Sequence, residues 1–331
     1  MTTYPKTRLL PVIETWEAWG QVFTKVALWK PAVQEICRRA SIPLESIETG
    51  YPGTNAVFVV NQRYVVKIYA PFCHDDYHLE RELLTKLGEK TLIPAPAILA
   101  RGILEDSISW PYIIMEYLSG QPIREVREKI DHANLLEITA HMGTIVRVLH
   151  KIPIASLNNL DRSQSGWQRY CQHQLKTLMK KLQRNYILPD PVIEAIPAFV
   201  ADEIFKGRAS KNTPLALVHG DLTEDHWLLD DTHGHWSLSG LFDFADAKIS
   251  PATYEWVALW FGALDRNHEN LASFMHSYDP TIMLDDDFYR RAMAYTFLHE
   301  FGAEIIDNVL PEHIRNDIPS IEHLVQVLWC Q

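Results

Sequence analysis

At 331 residues the chain is longer than one hydrophobic core usually serves, and with 47% hydrophobic and 22% charged residues it carries a real interior, so two lobes or one large two-layer domain is expected. A formal net charge of −11 and a pI near 5.7 exclude a general affinity for nucleic acid or an anionic membrane, which needs a basic surface, while a cationic small-molecule partner is tolerated. Cys37, Cys73, Cys171 and Cys330 lie far apart with no CxxC pair, no segment approaches about 18 uninterrupted apolar residues, and MTTYPKTRLLPVIETW lacks an apolar core before a cleavage site; the expected compartment is the cytoplasm.

From Trp16 to Ala40 apolar residues recur at helical spacing, and Pro31 interrupts the run, which predicts two short helices. GYPGTN (50–55) is a Gly/Pro turn, followed by a β-branched run at Ala56–Val60, a polar turn at Asn61 and Gln62, and a second run at Tyr64–Tyr69: a β-hairpin. Asp75 to Leu87 returns to helical period and ends at Gly88, and strand-like pieces follow at 97–102 and 111–117, completing a small α+β lobe. Beyond Gly120 the pattern is mostly helical (135–150, 167–184, 191–205 and 254 onward), interrupted by LALVHGD leading into the hairpin WLLDD–THGH–WSLSGLFDF.

Phosphoryl transfer from ATP needs a cation on the phosphates, a carboxylate to orient and deprotonate the attacking hydroxyl, and ligands for a divalent metal. Asp221 follows His219 by two residues at the end of an apolar strand and is the candidate base; His226 and Asp243 lie five and twenty-two residues further on, and a hairpin of that length is expected to bring all three to one mouth. Lys67 shares a strand face with Val65 and Tyr69 and needs a partner among such neighbours, with Glu80 on the next helix the candidate and Glu82 the alternative. The turn containing Gly50 and Gly53 offers backbone N–H groups to phosphate. HxD triplets alone arise by chance; coupled to FD on a return strand, K on a hairpin and E on the helix between, the pattern is specific.

These residues resemble the aminoglycoside phosphotransferases and their choline and homoserine kinase relatives over residues 50–264. HGDLTEDH, LFDFADA, SPATYE and WVAL match the family's order HGDLxxxN, IDxxxA, a proline-containing loop and an acidic residue opening a helix. YEWVALWFGAL and the stretch near SGWQRY look closest to hygromycin B phosphotransferase. The resemblance implies a two-lobed protein-kinase-like α+β fold: an N-terminal nucleotide-binding lobe with an antiparallel sheet (1–118) and a larger, mostly helical catalytic and substrate-binding lobe (119–331). It also implies Mg²⁺-ATP as cofactor and a small-molecule hydroxyl acceptor, an aminoglycoside, amino-alcohol or sugar. Residue by residue, it makes Asp221 the base, Asp243 the principal Mg²⁺ ligand, Lys67 the phosphate contact with Glu80 as its ion-pair partner, and the backbone at Met115, Glu116 and Leu118 the adenine-binding hinge.

One departure stands out: where the family has a metal-binding Asn, this chain has His226, whose softer imidazole admits Mn²⁺ beside Mg²⁺; Asp225 and Asp246 are other oxygen donors nearby. Two further readings therefore stand beside the kinase. One is a nucleotide-binding pseudokinase with a metal site altered by His226, and the other a metal-dependent hydrolase using His219, Asp221, His226 and Asp243. Acidic residues of the C-terminal helices (Asp265, Glu269, Glu300, Glu304 and Asp307) are candidates for an aminosugar or polyamine pocket.

Overall fold

Strands β1 (Ile47–Thr49), β2 (Ala56–Val60), β3 (Tyr64–Ile68), β4 (Ile98–Glu105) and β5 (Ser109–Glu116) pair antiparallel in the spatial order β1-β2-β3-β5-β4. The computed structural model describes residues 9–330 except 11, 14, 52, 89–91, 107 and 207–212. Its first compact unit comprises Met1–Gly120 with Ser239–Ala245, and its second Gln121–Leu238 with Asp246–Gln331.

In the first unit, the β2–β3 hairpin turns at Asn61 and Gln62, both with positive φ (55° and 50°), the conformation whose twist matches the flanking strands. The sheet then places Lys67 opposite Val57 and Ile113. Helices α1 (Trp16–Gly20), α2 (Val26–Arg39) and α3 (His74–Leu87) accompany the sheet. The break expected at Pro31 falls instead at 21–25: α2 runs through Pro31 because Trp29, Ala32, Val33 and Ile36 are all buried, and that packing outweighs one lost backbone bond. Pro52, part of the Gly/Pro turn, lies outside the described residues. Segment 239–245 is tied into this unit by Leu241 N–H donating to the Pro94 carbonyl (2.9 Å) and Ser239 Oγ donating to the Ser119 carbonyl (2.7 Å).

The second unit is mostly helical: α4 (Ile123–Val126), α5 (His132–His150), α6 (Gln164–Arg184), α7 (Asp190–Val200), α8 (Glu255–Ala258), α9 (His268–Tyr278), α10 (Asp286–Leu298), α11 (Gly302–Val309) and α12 (Ile321–Trp329). Its strands are β6 (Gln121–Pro122), β7 (Leu215–Val218), β8 (Trp227–Thr232), β9 (His235–Leu241, whose end passes into the first unit) and β10 (Lys248–Pro251). The β8–β9 hairpin turns at His233 and Gly234, again with positive φ (60° and 84°). β7 pairs not with this hairpin but with β10, four residues too short and proline-capped to give a periodic signal. That pairing is what sets the exit direction of the HGD segment after Val218. Among the described residues, no helix is long and apolar enough to cross a membrane.

Candidate active site

The first unit gathers three of the expected residues on one ammonium group. Lys67 Nζ lies 2.7 Å from Glu80 Oε2 and 2.8 Å from Asp243 Oδ1, with Lys67 only 5% and Glu80 2% exposed. Glu80, not Glu82, makes the pair. Burial alone would strip the proton from Lys67, but the charges and hydrogen bonds of Asp243 and Glu80 outweigh it and hold its pKa above the ordinary lysine value. Glu80 is pushed up by burial, partly offset by Lys67. Its Oε2 also accepts from the Tyr69 hydroxyl at 2.6 Å. Tyr69, two residues along the strand from Lys67, is thus a positioning group that the sequence placed on the right face without a role.

Asp243 has φ +64°, left-handed backbone that a non-glycine residue holds at a cost and that clusters at functional sites. The turn expected to bind phosphate adjoins it: a Cβ on Gly53 would lie 3.8 Å from Asp243 Oδ2, and Tyr51 stacks on Phe242 with centroids 5.9 Å apart. At the hinge, the N–H groups of Glu116 and Tyr117 are spent on the carbonyls of Ala97 (2.9 Å) and Arg63 (3.1 Å), and Met115 sits inside the sheet ladder opposite Val65 and Ile98.

In the second unit, the HGD segment is clamped through its backbone. Glu255, fully buried at the start of α8, accepts from the consecutive N–H groups of His219 (2.7 Å) and Gly220 (3.0 Å). Burial raises the Glu255 pKa, but His150 and His219 with these hydrogen bonds more than reverse it, so the net direction is down. His150 Nε2 lies 3.3 Å from Glu255 Oε2, and its Nδ1 is 2.9 Å from the Tyr278 hydroxyl. From the other side, His299 Nε2 donates to the Gly220 carbonyl (3.2 Å) while its Nδ1 accepts from Phe301 N–H (3.3 Å). Burial and the Lys248 charge push the His299 pKa down to about 3, so the ring is neutral. Gly220 takes φ +84°, and a Cβ there would collide with the Asp246 carbonyl oxygen. Glu255 and His299 carry no recognisable signal apart from the family pattern's acidic residue opening a helix.

The clamp presents Asp221, whose side chain is 19% exposed. His226 Nδ1 donates to the Asp221 carbonyl at 2.6 Å and lies 3.5 Å from Asp221 Oδ2. Because a carbonyl only accepts, Nδ1 carries a proton. Asp225 pairs with Arg124, and Glu224 with Arg124 (3.0 Å) and Arg127 (3.5 Å). His219 is fully buried and its Nδ1 accepts from Asp221 N–H (3.3 Å). Thus Lys67, Glu80 and Asp243 are brought together in one unit, and Asp221 and His226 in the other. Among the described residues, no group of three or more His, Cys, Asp and Glu side chains is arranged to hold a metal ion.

Solved structures of the same fold include aminoglycoside 2'-phosphotransferase-IIIa in its GDP complex, 16% identical over 84% of this chain and 96% of that one, with a TM-score of 0.65. The streptomycin–ATP ternary complex of APH(2")-IIa is 18% identical over 90% and 95%, with a TM-score of 0.61. APH(3'')-Id from Streptomyces rimosus is 17% identical over 86% and 98%, with a TM-score of 0.57. The fold is that of the protein-kinase-like aminoglycoside kinases. The model of the phosphotransferase enzyme family (APH) matches residues 49–294, a stretch that takes in the Gly53 turn, Lys67, Glu80, the HGD loop and Asp243, and the chain belongs to that family.

Proposed function

We propose that this chain moves the γ-phosphoryl group of ATP to a hydroxyl of a small molecule. The observation that carries this reading is the buried Lys67–Glu80–Asp243 network, with Asp243 held at positive φ beneath the Gly53 turn. Lys67 contacts the phosphates, Glu80 fixes its amine and Tyr69 holds Glu80, and the turn around Gly53 donates backbone N–H groups, the Gly50 N–H being spent on the Val57 carbonyl. With the Glu116 and Tyr117 amides already used, the hinge amide assigned to adenine is that of Leu118. The solved relatives carry ATP in one complex and GDP in another, so GTP is the competitor to test.

Asp221 orients the acceptor hydroxyl and takes its proton as the oxygen attacks phosphorus, while the bond from the γ-phosphorus to the β–γ bridging oxygen breaks and ADP leaves with that oxygen. Its loop is prepared for this, because the backbone just before Asp221 is fixed by Glu255 and His299 rather than by the acceptor. Mg²⁺, or Mn²⁺ given an imidazole donor, would neutralise phosphate charge when bound; the family pattern assigns Asp243 to it and, at the position of the family's Asn, His226.

The acceptor is assigned to the cluster beside Gly220 in the second unit. Of the C-terminal acids, Glu269, Glu304 and Asp307 pair with His132, Lys181 and Arg315. Glu300 instead lies 3.4 Å from Lys248, with its Oε1 buried and lacking a hydrogen-bond partner among the described residues. Lys248 Nζ sits over the rings of Tyr170 (5.4 Å) and Tyr254 (5.0 Å), and 3.4 Å from where a Cβ on Gly220 would be. An acceptor hydroxyl or ammonium donating to Glu300 Oε1 would therefore bind next to the base.

The test is ADP formation from Mg-ATP across a panel of aminoglycosides, hygromycin B, amino-alcohols and sugars. Turnover with at least one hydroxyl compound is expected. Glu300→Gln should raise the KM of that compound about tenfold, the loss of one charge-assisted hydrogen bond, with the ATP KM unchanged. Phosphate release that no acceptor accelerates would contradict the reading.

A further inference from the structure

Residues before position 49 lie outside the family match, yet one of them reaches the turn assigned to phosphate. Trp19, in α1, is 2% exposed, and its indole Nε1 donates to the backbone carbonyl of Thr54 at 2.7 Å. Thr54 follows Gly53, the residue that adjoins Asp243 Oδ2.

A peptide group is planar, so an N–H that captures the Thr54 carbonyl also fixes the direction of the Asn55 N–H on the opposite side of the same plane. The anchor itself is rigid. Trp19 stacks on Trp110 of β5 (centroids 6.2 Å apart, 23° between planes) and meets Trp29 of α2 edge-on (5.5 Å, 75°), and both partners are fully buried. At its far end the turn is joined to the sheet by Gly50 N–H donating to the Val57 carbonyl (2.8 Å). Among the described residues the peptide at Thr54 has no such ladder bond, and in a turn with two glycines it would otherwise have to be ordered by the nucleotide at an entropic cost.

We infer that Trp19 is a positioning residue for the phosphate-binding turn: a segment outside the family match holds the Thr54 peptide plane and so pre-orders the backbone N–H groups that meet the triphosphate. This rests on the reading that residues 50–55 bind phosphate. It assigns Trp19 no contact with nucleotide or acceptor, and its effect belongs to the phosphates rather than to the base.

Isothermal titration of the full chain with Mg-ATP and, separately, with adenosine tests this in the wild type and in Trp19→Phe, which keeps an aromatic ring and removes the donor. The expected result is a Kd for ATP raised roughly three- to tenfold, the effect of one hydrogen bond, with the Kd for adenosine unchanged. Equal ATP affinity in the two proteins overturns the inference, as does a parallel loss for ATP and adenosine, which would mark Trp19 as support for the fold alone. Should Trp19→Phe fail to fold, benzothienylalanine at position 19 preserves the ring shape without the N–H, and the same two outcomes decide. A wild type that binds GTP in place of ATP is titrated with GTP and guanosine. A wild type that binds neither nucleotide overturns the phosphate reading itself, and the Trp19 inference with it.

Discussion

Burial alone would drive the proton from Lys67; Asp243 and Glu80, at 2.8 and 2.7 Å, hold it there. The amine is therefore cationic across the whole working range, as the proposed phosphate contact must be, and its position is set by residues 13 and 176 places away in the chain. Removing one partner of such a buried pair leaves a charge without compensation. Lys67→Met should destabilise the protein by about 3–5 kcal/mol. The double variant Lys67→Met with Glu80→Leu should recover most of that loss while still failing to bind ATP. Thermal unfolding of both variants checks the stabilities, and a double variant no more stable than the single one would show that Glu80 does not depend on Lys67. His226 carries a second prediction at this scale. His226→Asn, which restores an amide oxygen, should shift the metal preference of turnover from Mn²⁺ toward Mg²⁺, read from activity titrations with each ion. An unchanged preference would remove His226 from the metal site.

The HGD loop is an element whose shape is imposed from outside. Two of its N–H groups belong to Glu255 and its carbonyl at Gly220 to His299, so the proposed base sits on a loop that binding does not have to order. His299 gives this clamp a pH signature. Its folded pKa of about 3 lies below the ordinary value of 6.5, so the neutral ring is the folded form. As the pH falls from about 6.5 toward 3, the unfolded chain takes up a proton that the folded one refuses. The stability contribution is full above 6.5 and declines below it, by at most about 1.4 kcal/mol per pH unit. His299→Gln keeps an N–H donor and cannot titrate, so its melting temperature should fall less between pH 7 and pH 5 than that of the wild type. Equal falls in the two proteins would show that this ring takes up its proton in the folded state. The clamp also marks where sequence reading stops. Lys67, Glu80, Asp221 and Asp243 could be singled out because each sits on a strand face, after a strand end or on a helix face defined by local pattern, and the pairing expected of Lys67 with Glu80 is present. Tyr69, His150 and His299 were not, because each acquires its role from a partner across a gap of 11 to 105 residues, and nothing local to it differs from an ordinary core residue. β10 escaped for a related reason: KISP has four residues, and its strand character comes from pairing with β7.

At the scale of the whole chain, the α+β order of hairpin, helix and two strands followed by a helical region was readable from periodicity, and the family pattern supplied the rest. The break within the N-terminal helices was misplaced, since propensity at Pro31 lost to the packing of Trp29 and its neighbours. The fold adds what no linear boundary expresses: segment Ser239–Ala245, which carries Asp243, belongs with the first unit although it follows the HGD loop in sequence. The chain therefore delivers its proposed metal carboxylate and its lysine from one folded unit, and its proposed base from the other. The most direct test of that division of labour compares Asp221→Asn with the wild type, measuring ADP formation with a competent acceptor and ATP affinity by titration in the same preparations. The account predicts turnover reduced on the order of 10²–10⁴-fold with ATP affinity preserved; turnover equal to the wild type would contradict it.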